Sequence, residues 1–219
     1  MKRALFIFLL AFVLMASHVF AQPEKINESD YNVAVMKALE AASARDRRIV
    51  TVEKFYTGEQ VTGTRNIVSD FAGPDAKRIN VTAEFGGKKT SNDAIQIGAE
   101  FFCHDAKNGW RKSAKECSKN AMMAIPDGEY EYFVETDAAD SSRKIYTRRA
   151  TFVDSGNPAR DAVRLKFIEI KIVADDNGII EYTETRRGGI DSNGWSSLQV
   201  TKYDYAVAGL KIADPTKEN

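Results

Sequence analysis

From Arg48 onward the chain alternates between apolar and polar positions. Ile49 to Tyr56 sets Val50 and Val52 against Thr51 and Glu53. Arg78 to Phe85 places Ile79, Val81, Ala83 and Phe85 on one side and Arg78, Asn80, Thr82 and Glu84 on the other. A period of two with one wet side is the signature of a half-buried strand in an antiparallel sheet. Val61 to Ser69, Glu129 to Glu135, Arg143 to Val153, Ile179 to Arg187 and Trp195 to Tyr205 read the same way, and Leu210 to Ile212 reads as a short strand before a frayed tail. Ala94 to Lys112 predicts two short strands turning at Asn108-Gly109. Val163 to Val173 is the most apolar strand, with a parity slip between Phe167 and Ile168 that predicts a bulge or a strand covered on both faces. Gly58-Glu59, Gly73-Pro74, Gly86-Gly87, Pro126-Asp127-Gly128 and Asp175 to Gly178 punctuate these runs as turns. The sum is about nine or ten strands in hairpin order.

Before the strands the period is helical. Tyr31, Val35, Ala38, Leu39 and Ala42 share one side, opposite Asn32, Lys37, Glu40 and Ser43. Ser29 or Asn27 can cap this helix, and Arg45, Arg47 and Arg48 suit the negative end of its dipole. Ser113 to Ala124 reads equally as a short helix or a covering loop. One helix followed by hairpin-linked strands gives an α+β class with a large antiparallel sheet, not a βαβ fold.

The first residues carry a targeting pattern: basic Lys2 and Arg3, an apolar run from Ala4 to Met15, and Val19-Phe20-Ala21 as a cleavage box. The apolar run is shorter than the ~20 residues a bilayer core requires. Residues 1–21 are therefore expected to be a cleaved signal, leaving 22–219 as a single periplasmic or secreted domain with no transmembrane segment. The 31 basic and 31 acidic residues balance. Loss of Lys2 and Arg3 leaves the remainder slightly acidic, which speaks against nucleic acid as a partner. Two cysteines, Cys103 and Cys117, in an exported chain make a disulfide the default, with a reactive Cys103 beside His104 as the rival.

Catalytic patterns are sparse. His104 is the one histidine beyond the signal, and no Gly-x-Ser-x-Gly turn accompanies it. A hydrolase built on His104 is the weakest reading. One histidine and two half-cystines do not make a zinc site. Asp175 to Gly178 lacks the twelve-residue ligand loop of a calcium site and reads as a hairpin turn. Glu129 and Glu131 read as a solvated strand face, Tyr130, Tyr132, Tyr203 and Tyr205 as half-buried strand positions, and Arg143, Lys144, Arg148 and Arg149 as surface decoration. No cofactor or metal is called for.

The order of pieces carries a resemblance. An exported chain opens with an amphipathic helix, Tyr31 to Ala44, and a strand meander follows. Mid-chain comes Ile95, Ile97, Gly98, Phe101, Phe102, Asn108, Gly109, Trp110 and Lys112. An Asp-x-x-Gly hairpin stands at Asp175 to Gly178, and the end reads Thr201, Tyr203, Asp204, Tyr205, Ile212, Pro215. This resembles the LolA/LppX/LprG-like superfamily of bacterial envelope lipoprotein and lipid carriers. The resemblance implies a strongly curved antiparallel sheet, an unclosed half-barrel, with the N-terminal helix and a short middle helix on its concave side. It implies a non-enzymatic carrier holding a lipid, a lipoprotein acyl chain or another hydrophobic ligand in the concavity. Val81, Phe85, Ile95, Ile97, Tyr132, Leu165 and Phe167 are the expected lining residues. The alternative is a ligand-free module that docks an envelope protein partner. The chain departs from the family pattern in its thin helical cover and its cysteine pair.

Overall fold

The computed structural model describes residues 22–117, 128–153, 156, 165–189, 195–207 and 209–217. The expected signal at 1–21 and most of the 113–124 segment, read as helix or loop, lie outside the described residues.

A helix, α1 (Glu28–Ser43), follows a three-residue strand, β1 (Glu24–Ile26). Then come β2 (Arg47–Thr57), β3 (Gln60–Ala72), β4 (Ala76–Phe85), β5 (Lys88–Ile97), β6 (Glu100–Asp105), β7 (Gly109–Ser113), β8 (Gly128–Thr136), β9 (Lys144–Phe152), β10 (Phe167–Ala174), β11 (Ile180–Gly188) and β12 (Trp195–Asp204). They form one unclosed, curved sheet in the order β1-β8-β9-β10-β11-β12-β2-β3-β4-β5-β6-β7. Every neighbouring pair is antiparallel, so each connection is a hairpin except the long passage from β7 to β8 and the α1 segment. The expected α+β half-barrel is the observed fold.

Asn27 caps α1: its side chain accepts from the backbone N–H of Asp30 at 2.8 Å. Glu28 and Asp30 place negative charge at the positive end of the helix dipole. At the other end the Arg47 guanidinium reaches back and donates to the carbonyls of Ser43 and Arg45 at 3.2 and 3.0 Å. It lies 3.9 Å over the Phe71 ring, which ties the helix exit to β3. The buried stripe is Tyr31, Ala38 and Ala42, with Val35 half-buried. Leu39, expected on that stripe, is 43% exposed, and it shares the outer face with Val33 and Met36 at 68% and 54%. The stripe advances by four, three and four residues, and position 39 stands a further ~100° round the helix from Ala38.

The helix lies on β8 to β12. Ala38 meets Ile172 and Ile180, with Val35, Tyr146, Ile170 and Tyr203 around them. Tyr31 stacks at a tilt on Tyr132, ring centroids 5.0 Å apart. A second cluster joins Ala150, Phe152 and Leu165, with Ile168 against it. The parity slip at Phe167 marks the start of β10, not a bulge: β10 pairs with β9 without a break, and the irregularity falls at Val173/Ala174 opposite β11.

Two strand segments lie where the sequence shows no alternation, and one expected strand does not form. Lys88 to Asp93 continues as the first half of β5, so the mid-chain stretch contributes three strands, with Gly98 at φ 56° turning the chain between the first two. The polar lead at Glu24–Ile26 is a strand, because β8 offers it a free edge. Leu210 to Ile212 is not a strand. That tail lies across the convex side, where Leu210, Ile212 and Pro215 share a cleft with Ile95 and Trp110. The Asp46 carboxylate accepts from Gly73 N–H at 2.8 Å and Gly209 N–H at 3.3 Å, pinning the tail's start.

Tyr205 donates to the Ile180 carbonyl at 2.7 Å. Burial, then the neighbouring Tyr203, pushes its phenol up to about 12. Burial also raises Tyr31, Tyr132, Tyr182 and Tyr203. A phenol with a folded pKa above its free value of 10 keeps its full stabilising contribution below pH 10 and loses it as pH rises towards 12. Thermal melts followed by circular dichroism are therefore expected to hold steady up to about pH 10 and then fall. Tyr205→Phe should lose about 1 kcal/mol at neutral pH, from its hydrogen bond, and show a shallower alkaline fall.

Candidate functional site

The concave side is the one α1 covers, and cross-strand register assigns residues to it. Starting from Ile172, the set runs through Thr183 and Thr201 to Thr51, then Ile67, Val81 and Asn92. Helix α1 covers the β8–β12 half. On the β3–β6 half Ile67, Ile79, Val81, Ala94 and Phe101 are only half-buried.

Over that second half sits the segment leaving β7. Cys117 is bonded to Cys103 of β6, Cα atoms 5.5 Å apart. The expected disulfide is present, and Cys103 is not a free thiol. Glu116 approaches Lys77 at 3.6 Å. Beneath them lies a small hollow of about 30 Å³, lined by Ile79, Val81, Ala94, Ile95, Phe101 and Cys117. That is room for one or two waters, so an acyl chain enters only if the covering segment lifts.

Between the two halves the concave side is polar. Glu53, 1% exposed, pairs with Arg65 directly opposite it on β3. The Arg187 guanidinium stands 3.7 Å from the other Glu53 oxygen and donates to Gln199 Oε1 at 3.0 Å. Ser197, 3% exposed, is the cross-strand neighbour of Arg187. Thr51 and Thr201 share a buried hydrogen bond of 3.0 Å. This inverts the sequence reading of β2: Thr51 and Glu53 are buried on the concave side, while Val50 and Val52 are 37% and 36% exposed on the convex one.

The rim beyond this belt is aromatic. Phe55 and Phe85 meet at 5.0 Å, and Arg65 lies 5.8 Å over Phe55. Gly63 makes the contact possible, since a Cβ there would stand 2.2 Å from the Phe85 ring.

The expected lining residues divide. Val81 lines the small hollow, Phe85 forms the rim, Tyr132 lies under α1, and Leu165 sits in the Ala150–Phe152 cluster. Ile97 and Phe167 belong to the opposite side. Ile95 pairs with Arg78 and Phe102, one step out of phase with Ala94, and it borders both the hollow and the convex cleft. Phe167 pairs with Thr151 and Gly188, out of phase with Ile168. The seven residues therefore do not line one pocket. Ile79, Ala94 and Phe101, which do line the hollow, share the parity of Val81, and strict alternation from that residue through the turns would have found them.

His104 is exposed on β6, its ring edge-on to Trp110 at 5.3 Å. Among the described residues no serine or carboxylate hydrogen-bonds to it. Asp175 spends its carboxylate on the backbone N–H groups of Asn177 and Ile179 at 3.0 and 2.7 Å, a turn as expected. Among the described residues no group of three metal-capable side chains occurs, and no helix is long and apolar enough to cross a membrane. Glu131 is held below the usual carboxylate range by Lys25 at 2.8 Å, and Arg149 pairs with Glu169 at 2.6 Å.

No family model and no curated protein matches the sequence. Among solved structures the chain is similar to a LolA superfamily protein from Nitrosomonas europaea, at 9% identity and TM-score 0.30 over 80% of this chain and 91% of that one. It is similar to a DUF1329 family protein from Desulfovibrio piger at 13% identity and TM-score 0.31, over 84% and 94% of the two chains. A protein domain from Vibrio parahaemolyticus assigned to outer membrane lipoprotein sorting gives 9% identity and TM-score 0.31, over 83% and 95%. The half-barrel rests on the strand order itself.

Proposed function

We propose that the mature chain, residues 22–219, is an exported, non-enzymatic carrier that shelters an acyl chain or another hydrophobic ligand against its concave sheet. The observation behind this reading is the half-buried apolar row Ile67, Ile79, Val81, Ala94 and Phe101, on the part of the half-barrel that α1 does not reach. A curved sheet cannot fill its own concavity, so such a row needs a helix, a loop or a guest over it. The guest's apolar area leaves water at about 25 cal/mol per Å². The segment ending at Cys117 acts as the gate, since the hollow below it is too small for a chain while it is down. The bacterial periplasm or exterior is the compartment that fits the signal pattern and the disulfide, and a lipid or a lipoprotein acyl chain is the ligand class.

Lipid extraction and mass spectrometry of the purified mature protein tests this. A near-stoichiometric acyl ligand is expected. Val81→Glu, on the concave side, should strip it, whereas Ile97→Glu, on the convex side, should leave it in place. Protein that carries no lipid and binds no added fatty acid would remove the carrier. The second reading, a ligand-free module docking an envelope protein, draws on the exposed stripe Val33, Met36 and Leu39. It predicts that changes to this stripe, and not to Val81, abolish function.

A further inference from the structure

The belt across the middle of the concave side holds more positive charge than it balances. One carboxylate, Glu53, stands between two guanidiniums, Arg65 and Arg187. Arg65 Nε, Arg187 Nε and Ser197 Oγ are all buried without a hydrogen-bond partner among the described residues. Ser197 is 3% exposed as a whole residue, so its hydroxyl has no ready access to water. Orphan buried donors cost roughly 1–3 kcal/mol each in the general case, and a protein that keeps three of them beside one another has a use for them. The register makes them neighbours: Ser197 faces Arg187 across β11 and β12, and Glu53 faces Arg65 across β2 and β3. The two arginine side chains remain partly exposed, at 38% and 32%, so a ligand can approach them.

We infer that this belt is an anion-binding site that receives the head of the ligand while its tail lies on Ile79, Val81 and Phe101. The ligand class is then a single-headed anionic amphiphile, a carboxylate or a phosphate. Guanidiniums bind both groups through paired, charge-assisted hydrogen bonds, and Ser197 supplies a further donor. Glu53 pairs with both arginines and holds them in place. This inference rests on the carrier reading and narrows it.

Calorimetric titration of the delipidated mature protein with dodecanoic acid, dodecyl phosphate and dodecanol tests it. The acid or the phosphate should bind about tenfold or more tighter than the neutral alcohol, and whichever of the two is preferred names the head. Arg187→Gln should erase that preference and leave dodecanol binding unchanged. Arg149→Gln, the same loss of charge on the convex side, should erase nothing. Ser197→Ala should weaken the anion several-fold while leaving the melting temperature level or raising it, since it removes an unpartnered hydroxyl; a purely structural serine would lower it. Equal affinity for the acid, the phosphate and the alcohol overturns the anion site and leaves the carrier standing. Binding of none of the three removes the carrier, and the anion site with it. If Arg187→Gln fails to fold, the Ser197→Ala result and the three-ligand comparison on the native chain decide.

Discussion

Glu53→Ala is expected to destabilise the protein by about 3 kcal/mol, among the largest effects of any single side-chain truncation here. The carboxylate is 1% exposed and lies between Arg65 and Arg187. Removing it leaves two guanidiniums facing each other in the middle of the sheet with their shared counter-charge gone. Breaking a buried pair costs roughly 3–5 kcal/mol in general, and the lower figure applies because both arginines keep about a third of their surface in water. Part of the loss is repulsion, so Arg65→Ala in the same chain should restore some of it. A double-mutant cycle is expected to give a coupling of at least about 1 kcal/mol between the two positions. Urea denaturation of the four proteins measures both quantities. A loss under about 1 kcal/mol for Glu53→Ala would mean that water already reaches the carboxylate and that the belt is surface, not interior.

The same residue shows where the sequence stops informing. Alternation alone located β2, β3, β4, β9, β11 and β12 and the helix, because each keeps its period for several turns of the pattern. Alternation does not say which parity points inward. In β2 the valines look like core and Glu53 like surface, and the reverse holds, since the interior at that point is a polar belt and the valines sit on the outer side. Ile97 misled for the related reason that apolar residues also stand on the convex side there, where the tail and Trp110 meet Ile95 two positions before it. A two-sided sheet of this kind hides its orientation from a period-two reading. Glu24–Ile26 and the first half of β5 were illegible for a different reason: their residues are polar, and pairing with a neighbouring edge, not burial, makes them strands. The disulfide was legible from cysteine count and export alone.

That disulfide carries the second large effect. Cys103→Ser with Cys117→Ser opens a loop with a separation of 14 residues. In the chain-entropy account a loop of this length contributes about 3 kcal/mol, and its loss should lower the melting temperature by roughly 6–12 °C in a chain of this size. The functional consequence follows from what the bond ties down. Cys117 is part of the roof over Ile79, Val81 and Phe101, and Cys103 is part of the floor strand. Without the bond, the roof's remaining described ion pair is Lys77 to Glu116 at 3.6 Å, on side chains 31% and 57% exposed. A pair so placed contributes less than about 1 kcal/mol and weakens in salt. The serine variant should therefore exchange a bound fluorescent fatty acid faster than the native chain, and faster still at high salt. Adding a reductant to the native protein should reproduce both the lower melting temperature and the faster exchange. Unchanged exchange alongside a lowered melting temperature would show that the bond braces the β6 edge while the ligand enters elsewhere, which would move the gate from the β7 exit to the α1 side of the concavity.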